Sequence, residues 1–486
     1  MENNYLFEGS EWDFGLISRV MGELDKIAPE LKLDIYPNQI EIIGSSQMLD
    51  AYASTGLPVM YKHWSFGKSH MQQSKQYAQG RSGLAMEIVI NSNPCINYLM
   101  EENSATTQTL VLAHAAYGHN HVFKNNYMFK QWTDASSIVD YLVFARNFIA
   151  ECEEKYGVDK VEKTLDAAHS LMNFGVDRYN RPSKLSLVQE RAKQDERKRY
   201  LQEQVNELWR TVPGHTPAAP VEKKVVKDPE ENILYFLEKK SPNLENWQRE
   251  ILRIVRKVAQ YFEPQRRTKT LNEGWASFTH YYMMNRLWDK GCLTDGAMLE
   301  FYQLHSAVLY QPDYDSKYYS GFNPYYLGFN IFSEIRRVCE HPTKEDEDYF
   351  PELVGTPWVD ACIDAVANYC DESFIRQFLT PALCRKMGLF LLNDDSKSDY
   401  HVKAIHNEAG FKQIRKALAD QYLPENYTPK IEIVDVDYTT RKLTLMYYKN
   451  RDKSLSKDTN RVLKHIEDLW GFPVELVDQD SKPYSV

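Results

Sequence analysis

Apolar positions recur at helical spacing from the start of the chain. Trp12, Leu16, Ile17, Val20, Met21, Leu24 and Ile27 share one face, so the spacing predicts a helix over 10–28, with Ser10 and Asp13 as a capping-box-like start. LDIYPNQIEIIG (33–44) reads as extended, its proline marking an edge or a break. MEIVINSNP (86–94) reads as a strand entering an Asn/Ser/Pro turn. Residues 95–118 return to a helical pattern that ends at Gly118. Residues 136–157 and 161–175 predict a helical hairpin, each arm closed by a glycine.

The segment 183–210 is charged and helical, and VPGHTPAAPVEKKVVKD (212–228) has the composition of a linker. LENWQREILRIVRKVAQYF (244–262) predicts an amphipathic helix with Trp247, Ile251, Ile254, Val255, Val258 and Phe262 on its apolar face. Arg249, Arg253 and Arg256 share the other side, as a solvated face or an anion-binding stripe. After about residue 400 the pattern becomes α-β-β-α-β. The fold class expected is mainly α (α+β): a large helical main domain with a small edge sheet, plus a small C-terminal α+β domain. The main domain is expected to comprise 1–210 and 230–400, with 211–229 as linker or insertion and 401–486 as the C-terminal domain.

Composition narrows the function classes. The hydrophobic share of 43% supports a large core, and the net charge of −10, with acids and bases interspersed, gives no reason to expect nucleic acid as a partner. The seven cysteines are scattered, odd in number and without a C-x-x-C pair, so a reducing compartment is expected rather than a disulfide framework. No apolar run approaches the roughly 20 residues of a membrane span, and the first residues lack a leader pattern. A cytoplasmic protein is the expectation.

Candidate chemistry begins with HAAYGHNH (114–121), three histidines behind an apolar run. A zinc-hydrolase helix needs two histidines four apart, with a glutamate after the first. Here Ala115 follows His114, and Gly118 stands four residues on. His114 and His119 are five apart, about 140° around an α-helix, so they meet at one ion only if the helix ends or bulges between them. Gly118 followed by Asn120 reads as a stop that would swing His119 back. The competing reading is a helix C-terminus with histidines at the negative end of its dipole.

TLNEGWASFTHYY (270–282) is the downstream string that could complete a site. Glu273 and His280 are seven apart and share a helical face, and Asn-Glu-x-x-Ala is similar to a string that carries the third ligand in zinc peptidases. Its competing reading is a buried glutamate in a structural ion pair. KYYSGFNPYYLGFNIF (317–332) ends one segment at Gly-Phe-Asn-Pro and starts a helix. Tyr326 is its candidate oxyanion donor, against a tyrosine-rich turn packing on the core. His63, Trp64 and Lys68 surround Gly67 in an expected loop, and Glu101, Glu102, Glu151 and Glu154 are acids that helices could bring near His114.

Together YPNQIEII, MLDAYASTGLPVMYKHWSFGK, EIVINSNPCINYLMEEN, HAAYGHN, WQREILRIVRKVAQYF, NEGWASF, NPYYLGF and LKHIEDLWGF resemble the SpoVR family, named for stage V sporulation protein R, over nearly the whole chain. The resemblance implies an intracellular bacterial protein linked to spore cortex formation or to stress, acting with a serine protein kinase system. It supplies no catalytic mechanism. Two classes of function follow. One is a metal-dependent hydrolase-like protein, with His114, His119 and Glu273 binding a divalent metal (zinc or iron), His280 as fourth ligand or general acid/base, and Tyr326 as oxyanion donor. Its expected substrate is a peptide or peptidoglycan precursor. The alternative is a non-catalytic regulatory or scaffold protein of the kinase system, contacting partners through 183–210 and the C-terminal domain.

Overall fold

The computed structural model describes residues 4–53, 57, 59–65, 68, 87–178, 229–393, 401–404, 408–437, 439–449 and 455–479. The charged helix expected over 183–210 and the linker over 212–228 lie outside these, as does Gly67. The chain forms two compact units, Met1–Lys163 with Lys257–Thr428, and Thr164–Arg256 with Pro429–Val486. Helices predominate in both, and the sheets are small.

In the first unit, helix Phe14–Ile27 starts one turn later than its apolar pattern. Asp13 alone is the cap: its Oδ1 accepts from the Leu16 N–H at 2.6 Å. Strands β1 (Asn38–Ile43), β2 (Glu87–Ile90) and β3 (Cys95–Met100) form a sheet of order β1-β3-β2. β1 runs parallel to β3, and β2 antiparallel to it. Pro37 immediately precedes β1, an edge strand, where a missing N–H costs no ladder bond.

The helix expected over 95–118 is wrong at both ends. CINYLM is a strand, and its residues alternate between buried and half-buried. The helix begins only at Ala105, where Ser104 Oγ accepts from the Thr107 N–H at 3.1 Å. It also does not stop at Gly118. Ala105–Val111 continues through Leu112–His119 into Asn120–Asn125.

Gly118 serves close packing instead. A Cβ placed there would lie 2.6 Å from the Cα of Ala276, on helix Lys269–Asp289. Two residues earlier on Lys269–Asp289, a Cβ at Gly274 would lie 2.4 Å from Gly328 of helix Pro324–Glu340. The 269–289 helix is thus pressed between two others at points where only the smallest residues fit. Trp275 is fully buried beside this contact, its ring 5.2 Å from that of Phe332 and 5.8 Å from that of His121. The 324–340 helix starts as its sequence predicts, with Asn323 as cap and Pro324 at the first position.

In the second unit, Glu238 is almost wholly buried, and Arg253 Nε and Arg256 Nε donate to it at 3.0 and 3.1 Å. Arg249 donates to the carbonyl oxygens of Glu238 and Ser241. These three arginines are therefore a clamp on one buried carboxylate and its helix end, neither a solvated face nor an anion stripe. The hairpin β4 (Leu391–Asn393) and β5 (His401–Ala404) belongs to the first unit. Strands β6 (Lys430–Val436), β7 (Leu443–Tyr448) and β8 (Val474–Asp478) form the second unit's sheet, with helix Thr459–Trp470 between β7 and β8. All seven cysteines are buried and free. Among the described residues no helix is long and apolar enough to cross a membrane.

Candidate metal centre

The segment Leu112–His119 is a π-helical turn within a longer helix. Its register is visible at the exit, where the Asn120 N–H reaches the carbonyl of Ala115, five residues back. In an α-helix His114 and His119 diverge, but an i→i+5 turn stacks residues five apart. The two rings meet edge to face with centroids 4.6 Å apart. Of the two ways in which these histidines could converge, the helix bulges and does not end.

Two carboxylates from other elements close on the histidines. His114 Nε2 lies 3.5 Å from Glu87 Oε1 and 3.6 Å from Glu273 Oε2, and His119 Nε2 lies 3.4 Å from the same Glu273 oxygen. Glu87, His114 and His119 each offer a ligand atom within 4.8 Å of the others. The Oε2 atoms of Glu87 and Glu273 are buried and make no hydrogen bond. Buried carboxylate oxygens are costly without partners, and the two carboxylates face the Nε2 atoms of His114 and His119 through Glu87 Oε1 and Glu273 Oε2.

The opposite ring nitrogens are held from behind. His119 Nδ1 lies 2.9 Å from Asn272 Oδ1. An amide oxygen only accepts, so it favours a hydrogen on Nδ1 and leaves Nε2 to take a second proton or an ion beside Glu273. His114 Nδ1 lies 3.0 Å from His280 Nδ1, and His280 Nε2 lies 2.8 Å from His305 Nδ1. The helical face shared by Glu273 and His280 thus brings both to His114, one at each of its nitrogens.

Burial and charge pull the groups apart. Burial pushes the Glu87 carboxyl up against the pull of His114 and His119. Burial also opposes ionisation of Glu273, but His119 and His114 outweigh it and hold that carboxyl well below the usual range. Burial likewise disfavours the charged form of His119, and Glu273 outweighs it, so the imidazole is raised. Burial pushes His280 far down, and His305 down to about 4, which keeps both neutral.

A cavity of about 400 Å³ opens on His119, Asn272 and Glu273. Val89, Phe123 and Phe262 give it apolar walls, and Gln265, Arg266 and Lys269 polar ones. Tyr326 is placed elsewhere, in a cavity of about 840 Å³ with Tyr314, Tyr319, Phe322 and Lys386. Its neighbour Tyr325 is the tyrosine that lies over His114, stacked with centroids 6.2 Å apart. Glu101, Glu102, Glu151 and Glu154 are exposed and contribute nothing to the cluster. Buried His63 turns to Ser65 Oγ at 2.7 Å, while Trp64 and Lys68 are exposed.

Sequence reasoning missed Glu87 and His305. Glu87 opens the apolar strand EIVI, and a lone acid at the start of an apolar strand is the one signal that pointed to it. His305 lies in the last turn of helix Asp295–Val308, with no motif around it.

Comparison with known proteins follows the same span. A family model described as SpoVR like protein matches residues 11–427, and one described as SpoVR-like C-terminal domain matches residues 429–481. A relative from Escherichia coli (strain K12), described as Uncharacterized protein YcgB, is 52% identical over 479 residues, covering 98% of this chain and 94% of its own. No solved structure matches the chain.

Proposed function

This chain belongs to the SpoVR-like family, and from that premise and the buried cluster we propose that it is a metal-dependent hydrolase-like protein in which His114, His119, Glu273 and Glu87 hold one divalent ion. The observation that carries this reading is the convergence of two half-buried carboxylates, each with one buried oxygen lacking a hydrogen bond, on the Nε2 atoms of His114 and His119. Without a cation only the two imidazoles stand against two carboxylates that share one site. A nitrogen and oxygen donor set suits zinc or iron.

A divalent ion held there supplies Lewis acidity to a substrate oxygen. The chain's own residues do the rest. Asn272 orients His119, and Val89, Phe123 and Phe262 restrict water at the approach. Gln265, Arg266 and Lys269 suit a substrate bearing an acidic group, such as a peptide or peptidoglycan precursor. On this reading the activity is cytoplasmic and belongs to a stress-related or spore-cortex-related pathway.

The test is metal analysis of protein purified without an affinity tag, before and after addition of zinc or iron. One ion per chain is expected in the wild type, and none in His119→Ala or Glu273→Ala. A wild-type protein that stays empty after both additions ends this reading.

A second role concerns the serine protein kinase system. On this reading the contact surface is the β6–β8 unit, which matches a family domain of its own. If that role holds, the full chain pulls down kinase-system components under stress, and a β6–β8 surface variant does not. Recovery of no component by the wild type counts against it.

A further inference from the structure

The histidines behind His114 carry an inference that rests on the metal reading and goes beyond its ligand set. We propose that His280 and His305 are positioning residues, a series of neutral imidazoles that holds His114 in its Nδ1–H tautomer and commits Nε2 to the ion.

The argument is one of hydrogen-bond direction. Each neutral imidazole has one N–H and one bare nitrogen. Two contacts join the three rings, His114 Nδ1 to His280 Nδ1 and His280 Nε2 to His305 Nδ1. Each contact needs one hydrogen, so the direction at one end fixes the direction at the other. When His114 Nε2 is a ligand it is bare, and Nδ1 carries the hydrogen and donates to His280 Nδ1. His280 then carries its hydrogen on Nε2 and donates to His305 Nδ1, which leaves His305 as the Nε2–H tautomer.

The opposite setting uses the same rings. With no ion, His114 Nε2 faces the carboxylates of Glu87 and Glu273 at 3.5 and 3.6 Å and is best placed carrying the hydrogen itself. Nδ1 then accepts from His280, which accepts from His305 Nδ1. Switching between settings moves both bridging hydrogens toward their partners. One proton leaves His114 Nε2 for solvent and one arrives from solvent at His305 Nε2, so the proton count is unchanged. Loading of the centre is thereby written into the tautomer of a residue that touches no ligand.

The surroundings suit this role. His280 and His305 are both buried. Besides His280, the His305 ring packs against Phe301, Phe329 and Tyr281. No carboxylate pairs with either ring among the described ion pairs, so nothing competes for the direction of the series. A metal-ligating histidine usually donates its other N–H to a fixed acceptor, and loss of that acceptor costs about 10–100-fold in affinity.

Two measurements on the full-length protein decide the matter. Zinc affinity is read by competition with a chromophoric chelator in the wild type, His280→Ala, His280→Gln and His305→Ala. We expect His280→Ala to bind zinc about 10–100-fold more weakly, His305→Ala to weaken it less, and His280→Gln to recover most of the loss, because its amide oxygen can accept from His114 Nδ1. Circular dichroism of each metal-free variant separates this from misfolding. The second readout is the tautomer pattern of ¹⁵N-histidine-labelled, zinc-loaded protein, assigned from signals lost in His280→Gln and His305→Gln. Nε2–H at both His280 and His305 is expected. If folded His280→Ala binds zinc as tightly as wild type, or if His305 carries Nδ1–H with zinc bound, this inference is overturned while the metal reading stands. If the wild type takes up no zinc or iron, the metal reading has failed first.

Discussion

At the residue scale, the centre depends on groups that are expensive to bury. Glu87 and Glu273 keep oxygens without hydrogen bonds, which makes each a sensitive probe. Glu87→Gln preserves shape and removes charge. It is expected to weaken zinc binding by at least the roughly 10–100-fold typical of losing an outer-shell partner, measured by the same chelator competition. His305 yields a prediction about pH. Its pKa is held down to about 4 in the fold, against an ordinary value of 6.5. Between these values the unfolded chain binds a proton that the folded chain does not, so stability is complete above pH 6.5 and falls as pH drops toward 4. The slope from this one group is at most about 1.4 kcal/mol per pH unit. In urea melts at pH 4.5, 5.5 and 7, His305→Gln should show a shallower acid limb than wild type. An equal or steeper limb would mean that the imidazole is protonated in the fold. Glu273 and His280 were legible at this scale, because seven-residue spacing on a helix is a local property. Glu87 was not, since nothing local links a strand residue to a helix.

At the element scale, the π turn and the glycine contacts act together. The π turn makes five-residue spacing converge, and Gly118 lets the turn lie directly on Ala276. Gly118→Ala places a methyl group 2.6 Å from a backbone carbon, and that neighbour cannot give way without moving the 269–289 helix. A loss of about 1–3 kcal/mol is expected, read as a lower melting temperature, together with weaker zinc binding because Glu273 moves with its helix. Gly274→Ala meets Gly328 at 2.4 Å and should cost a similar amount of stability. A wild-type melting temperature in both variants would show that these crossings are not tight. Reading Gly118 as a helix stop was reasonable on local grounds, because glycine is a common terminator. Its actual role needs knowledge of the facing helix. The strand β3 was misread for a related reason: CINYLM is apolar except at Asn97, which is buried, so it shows no polar/apolar alternation; it lies next to a long helical pattern and its pairing partners are elsewhere.

At the scale of the whole molecule, a ligand that binds only the folded chain stabilises it by mass action. Zinc at 100 times its dissociation constant should add about 2.7 kcal/mol, raising the melting temperature of the wild type but not of His114→Ala. An equal rise in both would place the zinc elsewhere. What the sequence by itself determined is what depends on near neighbours. It includes most helices and their faces, the extended character of the segment around Pro37, the mainly helical class with its small sheets, the family, and two histidines and a glutamate as candidate ligands. The tertiary structure decided everything that rests on contact between distant segments. It placed Glu87 beside His114, made Gly118 a contact point, moved Tyr326 out of the site in favour of Tyr325, and turned three arginines inward on Glu238. The physical reason is that periodicity records which face of an element is apolar, whereas a site is set by which faces meet. At His114 and His119 even the local geometry departs from the α-helical period, so spacing alone could state the conditions for convergence but could not say which of them was met.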